Sequence, residues 1–179
     1  MSALSIVLGA LTTGFPLPVA IVQHLDPRHV SMMPEILGRR TRLVVKAATH
    51  DDVLKAGVVY VATPDRHMEI AADDRCRRVR LADSKPVHFV RPSADRLFES
   101  AAEACGAIIG VVLTGTGTDG ASGALAIKHA GGVVIAQNEA SSAFFAMPHA
   151  AIATGAVDLI LPLEEIGPML LTMTRAMRP

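Results

Sequence analysis

The chain has 179 residues, half of them hydrophobic and 19% charged, and its 17 Lys and Arg offset 17 Asp and Glu to a formal net charge of zero. That length suits one domain with a sizeable core. Neutrality and the low charged fraction exclude a general nucleic-acid surface and a disordered tail, and one Tyr with no Trp makes base-stacking platforms scarce.

Leu4, Val7, Leu8 and Leu11 recur at helical spacing, so residues 2–11 read as an amphipathic helix. Phe15-Pro16-Leu17-Pro18 ends it, and residues 19–23 read as a strand. Pro27 opens a loop, residues 30–40 read as a helix with Pro34 inside it, and residues 43–47 form a short buried strand. Between residues 57 and 82 the period switches to two. There 58–61, 67–70 and 79–81 read as a small antiparallel set, with Asp73-Asp74 as a turn. Residues 92–105 read as a helix with Pro92 near its first turn and Ser93 or Asp95 available to cap it. Residues 108–113 form a fully apolar strand, 123–129 a helix stopped by Gly131-Gly132, and 133–137 another buried strand. A short helix at 148–153, a short strand at 157–161 and a closing helix at 163–177 follow, with Gly167-Pro168 placed to delay the last start. Strands alternating with helices predict an α/β fold, a doubly wound and mainly parallel sheet with a small antiparallel hairpin region. The alternation opens on a helix, where such folds usually open on a strand.

The stretch Leu113-Thr114-Gly115-Thr116-Gly117-Thr118-Asp119-Gly120 joins an apolar strand to a helix, the arrangement that builds a site at the carboxyl edge of an α/β sheet. Asp119 is its one ionisable side chain. Taken alone it fits an N-cap of the following helix, and a capping carboxylate can also receive an imidazole N–H. The strand at 19–23 delivers His24 to the same edge. A histidine there is more often packed or solvent-facing, but its place after an apolar strand and before Asp26-Pro27 suits catalysis. The two give a His and an Asp without the nucleophile of a hydrolase triad, and the sheet should bring them within hydrogen-bond reach. Gln137-Asn138-Glu139 ends another strand and reads as turn chemistry, with substrate lining as the other option. His67 and His88 have no metal-ligand spacing, so no metal site is expected. The glycines match neither a phosphate loop nor a dinucleotide fingerprint. Cys76 and Cys105 lack metal-like spacing, and residues 1–12 lack a signal peptide's basic start and cleavage site. A reduced, cytoplasmic setting is expected, and no stretch is long enough to span a bilayer.

Five stretches resemble the catalytic domain of CheB-type protein-glutamate methylesterases of bacterial chemotaxis. They are Val22-Gln23-His24-Leu25, Pro64-Asp65-Arg66-His67-Met68-Glu69, Arg91-Pro92-Ser93-Ala94-Asp95-Arg96-Leu97-Phe98, Leu113 to Gly120 as quoted above, and Ala136-Gln137-Asn138-Glu139-Ala140-Ser141. They span nearly the whole chain in family order. The resemblance implies a doubly wound α/β domain over residues 1–179, without the family's receiver domain. It also implies hydrolysis of glutamyl methyl esters on the cytoplasmic domains of methylated chemoreceptors, releasing methanol with no metal or organic cofactor. It puts the catalytic histidine on His24 and the catalytic aspartate on Asp119, and it suggests the backbone of Gly115, Thr116 and Gly117, Thr116 above all, as the oxyanion loop. The family's nucleophilic serine lies in a Gly-Ala-Ser-x-Gly-Gly turn before the first helix. Here Met1-Ser2-Ala3-Leu4 resembles the start of that helix, so the resemblance implies a domain shortened at its N-terminus, with the first strand and serine upstream of Met1. Ser2 and Ser5 are poor substitutes, because a nucleophile needs an elbow that exposes its Oγ. A receptor-docking or signalling module without catalysis is the alternative, and a nucleotide-binding domain is disfavoured by the lack of a phosphate-loop lysine or ribose carboxylate.

Overall fold

Short β-branched runs make the first sheet in the computed structural model, which describes residues 2–24, 31–73 and 76–176. Strands β1 (Val19–Ile21) and β2 (Val44–Ala47) flank β3 (Val58–Val61), and both pair with it in parallel. The antiparallel reading of residues 58–61 is therefore corrected. Val59, Tyr60 and Val61 are all buried, and a parallel strand covered on both faces takes an apolar run of this kind. The antiparallel region is the pair β4 (His67–Ala72) and β5 (Arg77–Ala82). Asp74, half of the expected turn between them, lies outside the described residues, as do Leu25, Asp26 and Pro27.

A second parallel sheet has the order β6 (Ile109–Val112), β7 (Val133–Gln137), β8 (Leu159–Leu161). Helices α1 (Ala3–Ala10) and α6 (Leu163–Ala176) cover one face of both sheets. Val7, Leu8, Leu11, Ile166 and Leu170 share one core with Ile21, Val59 and Val61 of the first sheet and Ile135 of the second. Helix α2 (Met33–Gly38), with Pro34 in its first turn rather than its interior, adds Leu37 to that core.

On the opposite face α3 (Ala94–Ala104) straddles two clusters. Its Leu97 packs with Tyr60, Met68 and Val79, while Phe98 also reaches the cluster of Val112, Ile127 and Val134. Helices α4 (Ala121–His129) and α5 (Ala146–Ala153) complete that side. Helices on both faces of parallel strands are the doubly wound arrangement expected from the sequence.

One local detail differs from expectation. Gly167-Pro168 does not delay α6, which begins at Leu163 and runs through Pro168. The glycine is needed for packing, because a Cβ at residue 167 would lie 2.5 Å from Ala10 Cβ and 2.9 Å from Val7 O. Strands β1 and β6 are not hydrogen-bonded neighbours. Each is the edge of its own sheet, although the residues that follow them meet. Among the described residues no helix is long and apolar enough to cross a membrane.

Candidate active site

His24 follows β1 at the carboxyl edge of the first sheet, and Asp119 ends the loop after β6 at the carboxyl edge of the second. Their side chains meet, with His24 Nε2 3.0 Å from Asp119 Oδ2. The approach is close but off the line of a hydrogen bond, a looseness common in catalytic sites without substrate. The other ring nitrogen, Nδ1, lies 3.1 Å from the Pro92 carbonyl. Both neighbours can only accept, so the doubly protonated ring suits the pocket best. Asp119 raises the His24 pKa above its ordinary 6.5, burial opposes this, and the Pro92 carbonyl adds to the rise.

Asp119 does not cap α4, as the sequence suggested; the α4 N-cap is Gly120, at φ 95°. Its carboxylate instead caps α3. Oδ1 accepts from Ser93 Oγ at 2.7 Å and Asp95 N at 3.1 Å, and Oδ2 accepts from Ala94 N at 2.6 Å. A carboxylate set against a helix N-terminus gains both the unpaired amides and the favourable end of the helix dipole. Burial pushes the Asp119 carboxyl up, but His24, Ala94 N, Ser93 and Asp95 N together hold it at about 2. It therefore stays a carboxylate across the neutral range, able to orient His24 and offset its charge.

The sequence offers Ser93 and Asp95 only as caps, and the structure sets both against Asp119 or the helix it precedes. Ser93 is fully buried and also accepts from Arg96 N as the N-cap of α3. Asp95 Oδ1 accepts from Gly120 N at 2.9 Å and Gly123 N at 2.8 Å, which caps α4. Its Oδ2 has no hydrogen bond and lies 3.5 Å from His88 Nε2. Burial raises the Asp95 pKa, and nearby Asp119 adds to the rise. The helices approach closely because residue 123 is glycine: a Cβ there would lie 2.5 Å from Phe98 Cβ and 3.1 Å from Asp95 Cα. The sequence signal for this arrangement is a Ser-x-Asp at one helix start and an Asp-Gly at another, which acquires meaning only when the two starts meet.

The glycine loop is braced from the neighbouring strand. Buried Gln137 accepts from Thr114 N at 2.9 Å through Oε1 and donates to Ser141 O at 2.7 Å through Nε2. This is the turn chemistry expected of residues 137–139. Gly115 N donates to Phe144 O at 2.9 Å and Gly115 O accepts from Met147 N at 3.0 Å. The Gly115 amide is thus already committed, which corrects its assignment as an oxyanion donor. Thr116 and Gly117 are exposed, and their amides make no hydrogen bond with the described residues.

Ser2 caps α1, and its Oγ lies 3.0 Å from the Oγ of buried Ser5, so neither forms an elbow. Among the described residues no group of three or more His, Cys, Asp or Glu could hold a metal ion. His67 is buried with Nε2 3.1 Å from the Lys85 carbonyl.

Comparison with known proteins adds three findings. The family model described as CheB methylesterase matches residues 1–170. A protein-glutamate methylesterase/protein-glutamine glutaminase 2 of Anaeromyxobacter dehalogenans is 44% identical over 174 residues, covering 97% of this chain and 50% of that protein. A relative named protein-glutamate methylesterase/protein-glutamine glutaminase in Archaeoglobus fulgidus is 37% identical over 167 residues, 93% of this chain and 48% of the relative. The chain spans about half the length of the curated relatives it matches. The crystal structure of the Thermotoga maritima CheB methylesterase catalytic domain superposes with a TM-score of 0.92 at 33% identity, covering 96% of this chain and 91% of that one.

Proposed function

This chain belongs to the CheB methylesterase family, and we propose that it is the catalytic domain of a protein-glutamate methylesterase acting on chemoreceptors in chemotaxis adaptation. The observation that carries this reading is the 3.0 Å approach of His24 to an Asp119 that three further donors hold charged. Such a pair makes a basic imidazole in fixed orientation, and its chemical use is to take a proton from a nucleophile.

Asp119 faces Nε2, so Nδ1 is the nitrogen assigned to proton transfer. In its neutral form the ring keeps the proton on Nε2, facing Asp119, and Nδ1, which lies 3.1 Å from the Pro92 carbonyl, carries the lone pair that accepts the nucleophile's proton. The nucleophile this reading requires is the family's serine on an elbow before α1, on a strand that would sit between the edges of β1 and β6, which are open among the described strands. Its Oγ attacks the glutamyl ester carbonyl while His24 takes its proton. The exposed amides of Thr116 and Gly117 receive the developing oxyanion. Methanol leaves with the proton from His24, and water activated by the same ring hydrolyses the acyl-enzyme to free glutamate. A glutamine amide, named in the relatives' second activity, would follow the same path with ammonia leaving. The substrate is a receptor's cytoplasmic domain, so the reaction belongs in the cytoplasm.

Methanol release from methylated receptor membranes tests this, using residues 1–179 extended by a strand and a Gly-Ala-Ser-x-Gly-Gly turn, and the His24→Ala and Asp119→Asn variants of that extended protein. Either substitution should lower kcat by a factor on the order of 10⁴. Residues 1–179 alone should stay near background. Full activity in the short chain would overturn the assignment of the nucleophile, and an inactive extended protein with intact fold would favour a non-catalytic docking role.

A further inference from the structure

The chain has five Phe, one Tyr and no Trp. Phe15 is buried and Phe98 packs into the cores beside α3, whereas Phe89 is 102% exposed and Phe144 60% exposed. Two of so few aromatic side chains stand in water, and both are fastened to the candidate site.

Phe89 sits in a two-residue turn closed by reciprocal backbone hydrogen bonds between Val87 and Val90. Its two central residues, His88 at φ 47° and Phe89 at φ 66°, are left-handed without being glycine. Such backbone costs on the order of 1 kcal/mol per residue and clusters where a side chain must be presented. The turn is wired to the site, because His88 reaches Asp95 and Pro92 faces His24. Phe89 is three positions before Pro92, so their Cα atoms lie within about 11 Å. Phe144 belongs to the segment between β7 and α5. Its carbonyl accepts from Gly115 N and Thr114 Oγ1, and its amide donates to Thr114 Oγ1. Two unrelated segments that carry exposed rings are thus tied to the site, one by backbone bonds to the start of the loop and one through the helix that cradles Asp119.

We propose that Phe89 and Phe144 form a two-point apolar grip on the protein that bears the scissile ester, an inference that rests on the esterase reading above. A methyl ester side chain is small enough to be served by His24, Asp119 and the amides of Thr116 and Gly117. Exposed rings carried on two separate segments outside that set of groups call for a larger partner, the protein that bears the ester. Its contacting surface is apolar beside the esterified glutamate, and aromatic anchors are the residues that most often dominate such contacts.

The test uses the full-length protein with Phe89→Ala, Phe144→Ala and both together. Two substrates are compared, a methylated receptor cytoplasmic fragment and a short peptide bearing a glutamyl methyl ester. The ratio of kcat/KM for the fragment to that for the peptide should fall about tenfold in each single variant, through KM, and further in the double. Fragment affinity, read by fluorescence anisotropy, should weaken in parallel, and Phe89→Tyr with Phe144→Leu should restore most of both. Both rings stand in solvent, so unchanged thermal midpoints will show that the variants fold. Parental ratios and affinities in the alanine variants would overturn the grip and leave the esterase reading standing. A parent that hydrolyses neither substrate yet binds the fragment through both rings would sustain the grip and remove the esterase reading. A parent that neither binds nor hydrolyses overturns both.

Discussion

Asp119 caps the helix that begins beside Asp95, and Asp95 caps the helix that begins beside Asp119. The exchange fixes two helix starts against each other and leaves the free corner of one carboxylate for His24. Asp95→Ala strands the buried amides of Gly120 and Gly123 and should cost about 1–3 kcal/mol in chemical denaturation. Asp95→Asn keeps an acceptor and should cost less. Ser93→Ala removes both an N-cap and a donor to Asp119, at about 1–2 kcal/mol, and Ser93→Thr should recover most of it. Equal unfolding midpoints for Asp95→Ala and the parent would sink the reciprocal-cap account.

The pair also dictates how stability varies with pH. The Asp119 carboxyl is lowered from 3.8 to about 2, so its contribution is present above pH 3.8 and disappears as pH falls through about 2. That shift corresponds to on the order of 2 kcal/mol. The His24 pKa is raised, so its contribution is present below pH 6.5 and disappears as pH climbs through the folded value. Stability from the pair therefore peaks between those limits, and Asp119→Asn should flatten the peak and bring the NMR titration of His24 back toward 6.5 or below. A His24 titration unmoved by Asp119→Asn would refute the coupling.

Glu69 deserves the next substitution. It is buried, with Oε2 accepting from Arg80 at 2.5 and 2.9 Å and Oε1 from Arg96 at 2.9 Å, which ties β4 to β5 and to α3. Both arginines are substantially solvated, so the loss is smaller than for a wholly buried pair. Glu69→Ala should cost about 2 kcal/mol. Because Arg96 lies one turn from Ser93, a His24 resonance displaced in this variant would show that the brace extends to the site.

The edges of β1 and β6 are open among the described strands, and exposed edges invite association between molecules. Extending the protein by a strand before α1 should raise the thermal midpoint and slow light-scattering growth at fixed concentration. Identical behaviour of the short and extended proteins would count against a strand seated between those edges.

His24 and Asp119 were legible in the sequence because each follows an apolar strand, His24 closely and Asp119 as the one ionisable side chain of the glycine loop, and parallel strands deliver such residues to one sheet edge. The helix at residues 94–104 and its Ser93 cap were legible for similar local reasons. The antiparallel placement of residues 58–61 failed because a four-residue apolar strand looks the same whether its neighbours run parallel or antiparallel. The exchange between Asp95 and Asp119 was hidden, since a capping carboxylate ordinarily serves its own helix. Gly115 misled in another way: a glycine in a loop advertises a free amide, while the carbonyl that takes it belongs to Phe144, on a segment far along the chain.

The fit of Ala10 against Gly167 has a consequence for biosynthesis. α1 and the helix that covers it lie at opposite ends of the described residues, so α1 is synthesised long before α6. Val7, Leu8 and Leu11 therefore remain incompletely covered until Ile166 and Leu170 arrive. Closing such a distant contact late slows folding and leaves a greasy helix on the nascent chain, so this domain's dependence on chaperones should be decided at α1.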